Sequence, residues 1–135
     1  MENTDKSLPE VSGSQAELAV LEQSKKKILQ SAVATLLAYG AVDIQGKQLR
    51  CAQEDGEACE GLSDPRPLQA LSSSLVISSL LFFTQLSEQA VANSSTPREC
   101  RRNRLNLFSN ELVLLASIIR FALLLENELD TEEGL

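Results

Sequence analysis

Residues 67–87 read PLQALSSSLVISSLLFFTQLS, an unbroken run of 21 residues without a charge. Asp64-Pro65 just ahead of it is a helix start. Asp offers an acceptor to the free amides of the first turn, and Pro has its φ preset for the first helical position. Pro67 is still tolerated inside that turn. At 1.5 Å per residue the run extends about 32 Å, the thickness of a bilayer's hydrocarbon core. The pattern predicts a helix over 65–92 that breaks in Asn93-Ser94-Ser95-Thr96-Pro97.

Two further runs flank this one. Residues 28–42 carry no charge, and residues 112–125 carry only Arg120. Of 12 basic and 19 acidic residues, Arg120 alone falls inside the three runs. In the first, Leu18, Leu21, Ile28, Ala32 and Leu36 share one helical face. Ser14 and Glu17 have capping-box spacing, and Gly40 stands where helices commonly stop. The expected helices are 14–39, 65–92 and 105–129. Between the first two, residues 41–51 are read equally well as a hairpin around Gln45-Gly46 or as continued helix, and 52–66 as an acidic loop. Residues 1–13 and the acidic end 130–135 read as flexible tails. The expected fold is therefore all-α, a three-helix antiparallel bundle in a single domain over 14–129.

Composition narrows the chemistry. The chain is 43% hydrophobic but only 4% aromatic, so its apolar surface is aliphatic. A net charge of -7 argues against nucleic acid as a partner. Histidine is absent, which removes the commonest general base and metal ligand. Three cysteines offer too few thiols for a zinc site, and Gly46-Lys47 lacks the glycine and the Ser or Thr of a phosphate-binding loop. The acidic loop places Cys51, Gln53 and Leu62 where a calcium loop needs oxygen ligands. These readings point to no catalysis, no cofactor, no metal and no small-molecule substrate.

A soluble bundle normally carries Lys and Glu on one face of every helix, and these runs lack them. Mean hydropathy is about 1.9 for 107–125, about 1.4 for 68–86 and about 1.2 for 28–46, so the third run is the clearest span. With three spans, Lys25-Lys26-Lys27 and the cluster Arg98, Arg101, Arg102 and Arg104 fall on one side, and the acidic segments on the other. That is a positive-inside pattern. The Arg cluster is either a topology signal or a grip on anionic lipid headgroups. Asn106, Asn110, Ser117, Arg120 and Asn127 form a polar stripe that either faces the bundle interior, with Asp43 or Glu111 conceivable mates for Arg120, or leaves Arg120 to snorkel or mark a solvent stripe. Ala70, Ser74 and Ser78 have spacing for close helix contact. Cys51 and Cys59 could close a short disulfide loop, leaving Cys100 reduced; the alternative is three free thiols in a cytoplasmic protein.

The stretch CRRNRLNLFSNELVLLASIIRFALLL (100–125), with LLFFTQLSEQAV at 80–91, resembles small helical membrane proteins of anaerobic gut Firmicutes. The resemblance covers about a third of the chain and implies several helices in a bacterial cytoplasmic membrane, with no activity or ligand attached. The long acidic ends and the serine-rich second helix depart from it. The expectation is a membrane protein acting through helix–helix contacts with itself or a protein partner. The alternative is a soluble cytoplasmic adaptor that homo-oligomerises through its uncharged faces; six serines within 68–87 favour it.

Overall fold

The computed structural model describes residues 8–54, 61 and 63–133. It holds three helices: α1 (Leu8–Glu54), α2 (Arg66–Ala92) and α3 (Pro97–Glu133). The all-α antiparallel arrangement is as expected. Cross-helix bonds fix the register. Ser79 Oγ donates to the Lys27 carbonyl (3.2 Å), Gln30 Nε2 to the Leu75 carbonyl (2.9 Å) and Ser72 Oγ to the Ala34 carbonyl (2.7 Å). On the other side of α2, Asn103 Nδ2 donates to the Ala90 carbonyl at 3.1 Å, and Asn110 Nδ2 to Ser87 Oγ at 2.6 Å. Among the described residues α1 and α3 pack on α2 and not on each other. The bundle is therefore a row of three helices with α2 in the middle.

The ends of two helices differ from the sequence reading. α1 starts at Leu8, ahead of Ser14, and runs to Glu54. It passes straight through Gly40 and the segment 41–51, so the hairpin alternative and the stop at residue 39 are both corrected. Gly40 does not adopt the left-handed conformation of a helix stop. It lies against α2, where a Cβ would meet Leu68 Cδ1 at an ordinary 3.9 Å. Beyond it Ala41 is fully buried, and Asp43 and Lys47 pair one turn apart at 2.8 Å. Tertiary contact thus carries the helix past a residue that would weaken it alone.

α3 starts at Pro97, eight residues before the expected 105, and its helix includes the acidic positions 130–133. The cause of the early start is Thr96-Pro97-Arg98-Glu99. Thr96 Oγ1 accepts from the Glu99 amide at 3.2 Å, and the Glu99 carboxylate accepts from the Ser95 amide and hydroxyl at 3.3 and 3.0 Å. Thr96 thus caps the helix with Pro at the first helical position, and Glu99 reaches back as in a capping box, one residue beyond the cap. At the head of α2, Asp64 accepts from the Arg66 amide (3.0 Å) while its carboxylate pairs with the guanidinium (2.9 Å). The Arg66 hydrogen bonds hold the Asp64 carboxyl below its ordinary range. A lowered carboxyl pKa favours the folded state near neutral pH, and the contribution fades in acid as the group protonates.

The seams between helices are narrow. Ala34 and Ala41 are the buried residues of α1, and Ser72, Ser79, Thr84 and Ser87 those of α2. The buried contacts fall at Ser72 and Ser79, seven residues apart; of the expected Ala70, Ser74 and Ser78, Ser78 accepts from Lys27 of α1 at 3.3 Å, whereas Ser74 is exposed and bonds its own helix through the Ala70 carbonyl. Small side chains let the backbones approach, and the hydroxyls make cross-helix bonds that apolar residues cannot. Ala34→Leu should therefore wedge α1 from α2 and destabilise the fold by about 1–3 kcal/mol in chemical denaturation. Leu36→Ala, on the exposed side of the same helix, should change the melting point far less.

Candidate functional site

Polar groups concentrate at two nodes in the seams. Between α1 and α2, the half-buried Lys27 ammonium lies 3.3 Å from Ser78 Oγ and 3.4 Å from Gln30 Oε1. The Phe82 ring centroid is 6.0 Å away, within reach of a cation–π attraction. Between α2 and α3, the buried Ser87 hydroxyl donates to the Phe83 carbonyl (3.0 Å) and accepts from Asn110 and Asn106 (2.6 and 3.3 Å). Asn103 extends this node to Ser94 Oγ at 2.9 Å. No buried side-chain polar atom among the described residues lacks a partner. The nodes fix the register of the three helices.

The expected polar stripe divides. Asn106 and Asn110 join Ser87, whereas the half-buried Ser117 hydroxyl turns back to the Val113 carbonyl at 2.9 Å. Arg120 and Asn127 are exposed. Neither Asp43 nor Glu111 forms an ion pair with Arg120 among the described residues. The stripe drifts off the seam because contact on α3 repeats every seven residues. Cys100, Asn103, Leu107, Asn110, Leu114, Ser117, Phe121 and Leu124 follow in steps of three and four, all half-buried. Asn103 was missed in the stripe although this spacing finds it. Arg98, Arg101, Arg102 and Arg104 are all exposed and make no ion pair among the described residues.

Cys100 is a free, half-buried thiol. Cys51 is disulfide-bonded on the last turn of α1, and Cys59 lies outside the described residues. Among the described residues no group of three His, Cys, Asp or Glu side chains is placed to hold a metal ion.

The outer surface is apolar. Leu18, Leu21, Ile28, Leu29, Leu36 and Tyr39 of α1 are each 60–73% exposed. α3 adds a second such face. The accessible surface is 10813 Å² for a chain of 14.7 kDa, against about 6,900 Å² for a compact monomer of that mass. Each helix is long and apolar enough to cross a membrane, with a mean hydropathy of 1.2, 1.4 and 1.8 over its most apolar 18 residues, in chain order. The register, however, staggers their charges. Lys27 lies level with Ser79, near the middle of the charge-free run of α2. Extending the α2–α3 register from Ser87 and its asparagines puts Arg120 level with Leu75, Glu111 with Thr84, and Glu126 with Gln69. The layer between Lys27 and Glu126 is about 15 Å thick, half a bilayer core, and still contains Arg120. The lysine and arginine clusters are separated by about 20 Å along the helices and do not share a level.

No protein-family model matches the chain, and neither a curated protein nor a solved structure does.

Replacing Ser87 by Ala leaves the Asn106 and Asn110 amides without their shared acceptor and should lower stability by about 1–2 kcal/mol. Arg120→Leu, outside the seam, should change it by less than about 0.5 kcal/mol. Urea melts of the two variants check the contrast.

Proposed function

We propose that this chain is a non-catalytic helical assembly protein whose outward apolar faces are covered by other protein. One observation carries the reading: the helix register sets charged residues of α1 and α3 beside the charge-free run of α2 while large aliphatic side chains line the outside. A bilayer placed on the charge-free run of α2 would take in Glu22, Lys25, Lys26, Lys27, Glu111, Arg120 and Glu126. Charges near the centre of a bilayer cost about 2.5–3.5 kcal/mol each on insertion scales. Protein cover asks no such cost, because charged side chains at the flanks of an interface keep contact with water. The aliphatic faces are too extensive for a lone soluble chain.

A second reading, an integral membrane protein assembling through helix contacts, draws support from α3. Its most apolar window has a mean hydropathy of 1.8, and none of that window is buried within the chain. In that setting the small and hydroxyl-bearing seams are the usual means of helix contact, and the arginine cluster meets the headgroups.

Alkaline carbonate extraction separates the two. Expressed from its full-length sequence, the protein should enter the soluble fraction after high-speed centrifugation. Retention in the carbonate-washed membrane pellet would overturn the assembly reading in favour of insertion.

A further inference from the structure

The outward face of α3 repeats with the same period as its seam. Arg98, Arg101, Leu105, Phe108, Leu112, Leu115, Ile119, Ala122, Glu126 and Leu129 follow in steps of three and four. At 100° per residue this row lies on nearly the opposite side of the helix from the residues that touch α2. Its large apolar members, from Leu105 to Ile119, are 50–63% exposed. A seven-residue apolar repeat sustained along a helix is the pattern that packs against a second helix.

The ends of the row say which helix. Arg98 and Arg101 begin it, and Glu126 stands near its end with Asp130 just beyond. Both groups oppose the helix dipole, which favours acids at the N-terminus and bases at the C-terminus. Neither arginine of the row makes an ion pair within the chain among the described residues. A partner running antiparallel with the reverse order of charge satisfies both ends at once, and a second α3 is such a partner.

We infer that two copies of this chain pair antiparallel through the outward faces of their α3 helices. The inference rests on the proposed covering of these faces by protein and names the cover. One register fits four of the row's five layers, the fifth setting Arg98 beside Leu129 at the rim. Leu112 meets Leu115 of the second copy, Phe108 meets its Ile119, and Leu105 meets its Ala122, a large side chain against a small one. Arg101 then faces the second copy's Glu126, and the two-fold axis repeats each pair. Like charges at matching ends disfavour the parallel pairing.

The test uses two differently tagged full-length chains, both with Cys100→Ser, one carrying Leu105→Cys and the other Ala122→Cys. A short bismaleimide is added, with the Cys100→Ser protein alone as background. Mixed samples should cross-link position 105 to position 122 at least tenfold more than 105 to 105 or 122 to 122. The like positions lie about 26 Å apart along the axis of an antiparallel pair. Cross-links between like positions, or none above background in a protein that remains soluble and oligomeric, overturn this pairing while leaving protein cover standing. Recovery of the protein only in membranes removes the cover as well. As a second measurement, Arg101→Glu and Glu126→Arg should each weaken association at least tenfold, and the double variant should restore it. Failure of that restoration also overturns the pairing.

Discussion

Two serine hydroxyls reaching across to backbone carbonyls, Ser72 to Ala34 and Ser79 to Lys27, set how closely α1 and α2 approach. They need small neighbours, and Ala34 and Ala41 supply them at full burial. The Ser87–Asn110 bond does the same for α3. Among the described residues these seams fully bury no Leu, Ile or Phe, and Leu107, Leu114, Phe121 and Leu124 on the α3 side are only half-buried. The large aliphatic residues are left to line the outside, and the single chain gains little from hydrophobic burial. Whatever covers those outer faces contributes the apolar burial that usually drives folding, so assembly and stability are coupled.

The serines otherwise follow a local logic. Ser24, Ser31, Thr35, Ser74, Thr84 and Ser117 each donate to the carbonyl four residues back in their own helix, and Ser94, just past the end of α2, does the same to Ala90. Internal bonds of this sort satisfy a hydroxyl whether water, lipid or protein lies outside it. A serine-rich helix therefore says little by itself about its surroundings. The charges are more telling, because a guanidinium or ammonium has no such internal refuge.

The three helices, their order and the limits of α2 were legible from uncharged runs and from Asp64-Pro65. The run-through at Gly40 was not, because the contact with Leu68 and the burial of Ala41 belong to the folded pair and leave no local trace. The early start of α3 was legible in Thr96-Pro97-Arg98-Glu99, a helix cap obscured by the helix-breaking look of Asn93 to Pro97. Of the polar stripe, Asn106 and Asn110 reach the α2 seam. Arg120 does not, since a seven-residue contact repeat was needed to choose among polar positions on one side of the helix. The stagger of the lysine cluster against α2 depends on cross-helix register, which no single helix carries in its sequence.

Sedimentation velocity of the full-length protein in detergent-free buffer tests most directly whether protein covers the outer faces. The account predicts a soluble species with at least twice the 14.7 kDa mass of one chain. A stable 14.7 kDa monomer, or a protein that stays in solution only with detergent, would contradict it.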